Sequence, residues 1–292
     1  MRRLVALLAL ALAAMPGAVR AGEAEKAERL VTLGGTVTEV AFALGLGDSI
    51  VGVDQSSLFP AAAQKLPQVG YYRSVAAEGI LSLRPTLVVA SEDAGPPAAL
   101  DLVRGAGVEI LTLPSTPTLE AARARIERLA ERTGRQAEAA AAIAAIDASL
   151  AAAREAVACV RAAPPKVLFL FGRGGGNVAA AGGGTAAQAM IELAGATNSV
   201  GASFQGYRPL GAEAVIAAAP DVVVTTTHAV RTLGGEQAVL DLPGLALTPA
   251  GKAKRLVVLD DLLLLGFGPR VGDAVAALAG ALRQGRSCAS GS

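Results

Sequence analysis

The chain has 292 residues, of which 52% are hydrophobic and 3% aromatic, and its formal net charge is +1. So balanced a charge argues against nucleic acid as a partner, because nucleic-acid-binding domains carry a basic excess. One histidine and two cysteines also argue against a disulfide framework and against a site for a bare metal ion.

The N-terminus has the features of a secretory signal peptide. A short basic start, "MRR", precedes an apolar run of 12 residues, and "PGAVRA" then places small residues at Val19 and Ala21 for cleavage after Ala21. The alternative is an N-terminal anchor, which needs about 20 apolar residues. No cysteine follows the run as a lipid acceptor. We expect residues 1–21 to be removed and the mature protein to be soluble in the periplasm, with 23 Lys+Arg against 25 Asp+Glu and a net charge of −2.

Strands and helices alternate through residues 22–117, which we interpret as an N-terminal α/β lobe. Four short apolar runs predict strands, and the segments between them have the apolar spacing of helices. The predicted strands are "RLVTL", "SIVGVD", "TLVVAS" and "VEILTLP". The predicted helices are "GTVTEVAFALGLG", "AAEGILSLRP" and "AALDLVRGAG". Such alternation is typical of a mainly parallel sheet.

Residues 118–160 have a different composition, with no proline, one glycine and many strong helix formers. A single helix of this length would span roughly 60 Å. That is too long for one small domain, so we expect a bend or a break near Gly134. A coiled coil is the alternative, but heptads of large apolar residues are missing. We interpret the segment as a connecting helix.

The α/β pattern resumes over 161–292, the predicted C-terminal lobe, and repeats part of the first lobe. "YRSVAAEGILSLRPTLVVAS" at 72–91 aligns without gaps to "YRPLGAEAVIAAAPDVVVTT" at 207–226. The predicted fold is two Rossmann-like lobes with mainly parallel sheets, joined by one long helix. Ligands bind between lobes and beyond the carboxyl ends of parallel strands, so the loops that follow the strands are the candidates for a site.

The motif "GYYR" places two of the three tyrosines side by side. Tyrosine is usually a packing residue and less often an oxygen ligand for iron. In an extended loop, Tyr71 and Arg73 would share one face and Tyr72 the other. Tyr72 matches Tyr207 in the repeat, whereas Tyr71 faces Gly206, so we expect Tyr72 to pack and Tyr71 to bind a ligand. A guanidinium beside a phenol favours the phenolate, which is the role expected of Arg73.

These stretches, together with "GTAAQAMIELAGATNSV" and "DLLLLGFGPR", resemble the periplasmic haem-binding proteins of bacterial haem ABC importers. That family belongs to the substrate-binding proteins of class III, whose two lobes are joined by a long helix. The resemblance covers about residues 28–284. It implies that the phenolate of Tyr71 ligates the iron of haem b and that Arg73 neighbours it.

Three residues of the C-terminal lobe are further candidates. Some members of the family carry a histidine before the glycine run, where it can meet a haem. This chain has Arg173 at that position, so a second iron ligand there and a second, stacked haem are not implied. The guanidinium of Arg173 suits a haem propionate instead. His228 follows a predicted strand and should reach the cleft; the alternative is an ordinary loop histidine. Arg231 is either a propionate contact or a solvated arginine. The glycine run itself matches no phosphate-binding motif.

Glu78 and Glu213 occupy matching positions near the start of a helix in each lobe. An acidic residue in the first turn is favoured by the helix dipole, which would explain both without any function. The resemblance implies instead that one exposed glutamate per lobe docks on arginines of the two permease subunits.

We therefore predict a binding protein that delivers haem to an ABC permease dimer with its ATPase and contacts the membrane only through the permease. A siderophore or cobalamin carrier of the same fold is the alternative. An α/β enzyme is the other class considered, but no G-x-S-x-G motif or Cys–His pair is present. Cys159 and Cys288 have the opportunity to form a disulfide in an oxidising compartment.

Overall fold

The N-terminal lobe is built on a four-stranded, fully parallel sheet. The computed structural model describes residues 28–172 and 178–284, so the predicted signal peptide lies outside the described residues. The strand order is β2-β1-β3-β4. The strands are β1 (Leu30–Leu33), β2 (Ile50–Val53), β3 (Leu87–Ser91) and β4 (Glu109–Leu113). The helices are α1 (Gly35–Ala43), α2 (Ala77–Ser82) and α3 (Pro97–Gly105).

The predicted connecting helix is divided into two helices, α4 (Leu119–Thr133) and α5 (Gln136–Ala162). Gly134 ends α4 with a φ of 70°, in the left-handed region that glycine adopts at helix ends. The break therefore falls where the sequence predicts it. α4 packs against α1 and β4 of the first lobe, while α5 packs along α12 (Val271–Arg283), the last helix of the described chain.

The C-terminal lobe has a six-stranded mixed sheet in the order β10-β9-β5-β6-β8, with β7 also paired to β5. Its strands are β5 (Lys166–Gly172), β6 (Val178–Ala181), β7 (Thr197–Asn198), β8 (Tyr207–Arg208), β9 (Val222–Thr226) and β10 (Leu256–Leu259). β6 runs antiparallel to β5 and β8, and the other pairs are parallel. The predicted glycine loop thus contains a strand.

Helices connect these strands and cover the sheet. They are α6 (Ala186–Leu193), α7 (Ala212–Ala218), α8 (Thr227–Leu233), α9 (Glu236–Leu240), α10 (Pro249–Lys252) and α11 (Asp261–Leu265). α8 occupies a segment that the sequence predicts as a loop. Its start is capped by Thr226, whose hydroxyl accepts from the backbone N–H of Ala229 at 3.3 Å.

The internal repeat is visible in the backbone. α2 and α7 begin at matching positions, and β3 and β9 are matching five-residue strands. Even the strained residue between them is repeated, since Arg84 has a φ of 48° and Ala219 a φ of 42°. The two copies differ at their first residues: Tyr72 begins a 3-10 turn, whereas Tyr207 lies in β8.

A single apolar cluster runs through both lobes and through the helices that join them. It includes Leu30 of the first sheet, Ile126 of α4, Ile146 of α5, Phe169 of the second sheet and Leu278 of α12, each at most 1% exposed. Because the packing is continuous, the two lobes are coupled by a shared core and not by a flexible linker.

The carboxyl ends of the two sheets face each other. α1 follows β1 directly, and its Thr36 hydroxyl donates to the carbonyl of Gly266, in the segment after β10, at 3.0 Å. A Cβ added at Gly35 would meet Leu262 of that segment at 3.1 Å. The expected cleft therefore lies between the sheets. Within residues 28–172 and 178–284, no helix has the length and apolar character needed to cross a membrane.

Candidate functional site

A buried carboxylate organises the loops at the carboxyl ends of β1 and β2. Asp54, the first residue after β2, is 0% exposed. Its Oδ1 accepts from the Gly34 backbone N–H and the Ser57 hydroxyl, both at 2.9 Å. Its Oδ2 accepts from Ser56 twice, at 2.9 Å and 2.7 Å, and from the Tyr72 backbone N–H at 3.3 Å. Five donors thus satisfy the buried charge, and one of them holds in place the loop that contains Tyr71 and Tyr72.

Tyr71 and Tyr72 have different environments. Gly70, with a φ of 99°, supplies a turn that only glycine makes easily, and its carbonyl accepts from the Gln55 backbone N–H at 2.8 Å. Tyr71 follows in an extended conformation and is 43% exposed. Tyr72 is half-buried and packs on the apolar core of the first lobe. The two rings meet edge to face, with centroids 4.9 Å apart.

Arg73 is not arranged as the sequence predicts. The backbone from Tyr72 to Ser74 is a 3-10 turn, so the alternation expected of an extended loop fails. The Nε of Arg73 donates to the Tyr72 hydroxyl at 2.8 Å, and its terminal nitrogen pairs with Asp93 at 2.9 Å. The phenol nearest to this guanidinium is therefore Tyr72 and not the exposed Tyr71.

The pKa of Tyr72 is raised above its usual value, because burial outweighs the hydrogen bond and charge of Arg73. Its ring packs on the first lobe and its hydroxyl is already bonded to Arg73, so Tyr72 has a structural role. Its partner in the repeat behaves similarly: burial also raises the pKa of Tyr207, whose ring lies 5.4 Å from that of Phe171. Both repeated tyrosines are packing residues, as the duplication predicts.

Two candidates of the C-terminal lobe, His228 and Arg231, lie at the carboxyl end of its sheet. His228 and Arg231 are exposed residues of α8, which begins at the carboxyl end of β9. The His228 backbone N–H donates to Asp261 at 3.0 Å, which fixes the start of the helix. Within the described part of the chain, no hydrogen bond or ion pair joins this pair to Tyr71 or Arg73. Arg173 lies outside the described residues.

Glu78 and Glu213 are exposed residues in the first turns of α2 and α7. The two helices are repeated elements, so the carboxylates occupy equivalent places on the two lobes. Among the described residues, neither carboxylate takes part in a salt bridge. They are thus available to a partner, which is what the docking prediction requires.

Several residues that organise the site were missed by the sequence interpretation. Asp54 carries the strongest signal in retrospect, as a polar residue directly after a buried strand. Asp93 lies in the loop after β3 and holds Arg73. Glu39 is buried and forms an ion pair with Arg270 of the other lobe at 2.7 Å. Its partner lies 231 positions away, and no local sequence pattern reveals such a pair.

The proposed disulfide stays a prediction. Cys159 lies near the end of α5, but Cys288 lies outside the described residues. Within the described ranges, no group of three or more His, Cys, Asp or Glu side chains is arranged to hold a metal ion.

Two α/β lobes with a cleft at the carboxyl ends of their strands define a bilobal ligand-binding protein. The model of the periplasmic binding protein family matches residues 30–263. The chain therefore belongs to this family, which consists of binding proteins that act outside the cytoplasm.

Solved structures of similar proteins cover almost all of the described chain. The periplasmic heme-binding protein RhuT from Roseiflexus sp. RS-1, in apo form, is 42% identical with a TM-score of 0.84, over 88% of this chain and 98% of that one. The periplasmic heme-binding protein BhuT in complex with two hemes is 45% identical with a TM-score of 0.82, over 87% and 97%.

A curated relative with a different cargo matches a shorter stretch. The vitamin B12-binding protein of Yersinia pestis (strain Pestoides F) is 35% identical over 108 residues. The match covers 37% of this chain and 36% of that protein. It supports the family assignment but spans only about one lobe.

Proposed function

We propose that this protein binds haem outside the cytoplasm and passes it to an ABC importer in the inner membrane. The observation that carries the proposal is Tyr71, a tyrosine left 43% exposed at the carboxyl end of a buried sheet. A porphyrin supplies four equatorial ligands, so iron needs only one axial donor from the protein, and tyrosinate is a known axial ligand. The two solved structures described above are also of heme-binding proteins.

Arg73 supports this role indirectly. It is held by Asp93 and by the Tyr72 hydroxyl, and the Tyr72 ring lies edge-on to Tyr71. We infer that Arg73 positions the tyrosine pair and places positive charge near the iron ligand. A cation close to a phenol favours its ionised form.

Three basic or titratable residues of the second lobe complete the proposed site. Arg231 and Arg173 suit the two propionates of haem b, since guanidinium groups pair well with carboxylates. His228, exposed at the start of α8, is the candidate in this lobe for direct contact with haem.

Delivery would use the matched carboxylates. We propose that Glu78 and Glu213 dock on the two permease subunits, one per lobe, and that the associated ATPase drives release. The proposed division of the chain is a signal peptide at 1–21, lobes at 22–117 and 161–292, and connecting helices between them. The mature protein would then be soluble in the periplasm, bind no nucleic acid and catalyse no reaction.

Haem titration followed by absorption spectroscopy tests the proposal. We expect the wild-type protein to give the Soret band of a five-coordinate ferric tyrosinate. The band should be lost in Tyr71→Ala and kept in Tyr72→Phe, because the proposed iron ligand is the phenolate of Tyr71. Tyr72→Phe is the matched control, since it removes a hydroxyl one residue away.

Two outcomes would contradict the assignment. Failure of the wild-type protein to take up haem would exclude the function itself. Loss of the tyrosinate band only in Tyr72→Phe would assign the iron ligand to the other tyrosine. Cobalamin, favoured by the Yersinia relative, is tested by the same titration with cobalamin in place of haem.

A further inference from the structure

The segment "DLLLLGFGPR", from Asp261 to Arg270, connects the second lobe to the first. It begins in the second lobe as α11, and it then crosses to the first lobe before α12 begins. The Thr36 hydroxyl donates to the Gly266 carbonyl at 3.0 Å. An added Cβ at Gly266 would come within 2.9 Å of that hydroxyl, so the glycine permits the close approach.

A buried arginine holds the middle of the segment. Arg125 of α4 is 3% exposed, and its guanidinium donates to the Phe267 carbonyl at 2.5 Å. It also donates to the carbonyls of Pro114 and Thr116, at 2.6 Å and 2.8 Å, in the loop after β4. Burial lowers the pKa of Arg125 to about 10, which still leaves it charged at neutral pH. One cation thus ties the first lobe to the backbone of the second.

Arg270, at the end of the segment, forms a two-point ion pair between the lobes. Its Nε and a terminal nitrogen donate to the two carboxylate oxygens of Glu39, at 2.7 Å and 3.1 Å. Its guanidinium also lies 3.6 Å from the centre of the Phe59 ring. Glu39 is 4% exposed and Phe59 is 40% exposed, so the arginine links a buried carboxylate to a partly exposed ring.

The other end of the segment reaches the candidate ligand site of the second lobe. Asp261 Oδ2 accepts from the Thr227 hydroxyl and from the His228 backbone N–H, both at 3.0 Å. The same ten residues therefore contact the start of α8 in the second lobe and α1 with Phe59 in the first.

We propose that the segment Asp261–Arg270 is an interlobe clasp that sets the width of the cleft and thereby the rate at which haem leaves it. Arg270 is the positioning residue of the clasp, because it donates two hydrogen bonds to the Glu39 carboxylate and packs over the Phe59 ring. This inference rests on the proposed function for its haem readout. The other part of the inference, that the segment fixes the separation of the lobes, does not depend on haem binding.

The first test measures the distance between the lobes without any ligand. Spin labels at Leu102 and Leu247, two exposed apolar residues of the first and second lobes, are introduced through an unnatural amino acid so that the native cysteines are untouched. Arg270→Gln should broaden the distance distribution. Arg104→Gln, which breaks an exposed pair with Asp101 on α3, should leave it unchanged. An unchanged distribution in Arg270→Gln would overturn the clasp.

The second test measures haem transfer to an excess of apomyoglobin. We expect Arg270→Gln to release haem about tenfold faster, which lowers the activation free energy of release by about 1.4 kcal/mol, while the tyrosinate spectrum stays the same. A changed spectrum would mean that Arg270 acts on the haem site directly, and an unchanged rate would mean that the clasp does not control release. If the wild-type protein takes up no haem, the proposed function fails and the distance measurement alone decides the clasp.

A third variant tests the ring contact and leaves the buried ion pair with Glu39 in place, and by itself it should also broaden the distance distribution. Phe59→Leu removes the stack at a partly exposed position, so the fold should tolerate it. If the stack works through Arg270, the double variant should release haem no faster than Arg270→Gln alone. Additive effects would show that Phe59 contacts haem independently and would overturn its place in the clasp.

Discussion

At the scale of single residues, the candidate site depends on a contrast between a buried acid and an exposed phenol. Asp54 has no contact with solvent, and five donors, all of them neutral groups, satisfy its two oxygens. Its hydrogen bonds join the start of α1, the loop after β2 and the 3-10 turn that begins at Tyr72. Tyr71 is left exposed because its neighbours, and not Tyr71 itself, make these contacts.

Replacement of Asp54 tests this organisation. Asp54→Asn replaces one carboxylate oxygen, which accepts hydrogen bonds, with an amide NH₂, which donates them. The buried N–H and O–H groups that bond to that oxygen would then lose their acceptor. We expect a loss of about 3 kcal/mol in the free energy of unfolding, measured by urea denaturation. Asp93→Asn is the control: its pair with Arg73 is exposed and should contribute less than about 1 kcal/mol. Equal losses in the two variants would refute the central role of Asp54.

At the scale of elements, the chain repeats one strand–helix unit and adapts each copy. The helices α2 and α7 begin at matching positions, and the strands β3 and β9 begin and end at matching positions. The residues before the two helices differ in structure. In the first lobe they form a turn that leaves Tyr71 exposed, and in the second lobe they form β8. Duplication supplied the scaffold, and the loops diverged.

The break between α4 and α5 is the second feature at this scale, and glycine substitutions test it. Gly134 needs its left-handed φ, so Gly134→Ala should cost about 1 kcal/mol of stability. Gly280, inside α12, has helical geometry and, like Gly134, has open space where a Cβ would be added. Gly280→Ala should therefore stabilise the protein by up to about 1 kcal/mol. Thermal unfolding of both variants measures the difference, and a shift of the same sign in both would contradict the break.

At the scale of the whole molecule, the lobes share one apolar core and are joined again by the clasp. A protein built this way keeps a nearly constant separation between its two outer surfaces. Glu78 and Glu213 occupy equivalent positions on those surfaces. Fixed spacing is useful if a partner must recognise both carboxylates at once, because no energy is then lost in ordering them.

Docking is tested by reversing both charges. Glu78→Lys with Glu213→Lys should abolish haem transport by the reconstituted importer, since like charges would face the permease arginines. Haem affinity, measured by Soret titration, should stay at the wild-type value. Glu131→Lys with Glu155→Lys, on the connecting helices, makes the same change in charge away from the proposed surface and should leave transport intact. Equal transport in the two double variants would argue against docking through this pair.

The family fold could be derived from the sequence to a large extent, because it is encoded locally. Apolar runs between helical segments predicted the parallel strands, and Gly134 in a segment of helix formers predicted the break. The unmatched tyrosine of the repeat pointed to Tyr71. Antiparallel β6 and helix α8 were missed, since a glycine-rich run and a short polar segment carry weak local preferences.

The contacts that define the site could be decided only by the tertiary structure. Arg73 was expected beside Tyr71, but a 3-10 turn and the position of Asp93 direct it to the Tyr72 hydroxyl. Glu39 and Arg270 show no relation along the chain, and they meet because the two sheets face each other at their carboxyl ends. Local propensity determines which elements form; burial, and the need to satisfy buried charges across the lobes, decide which residues finally meet.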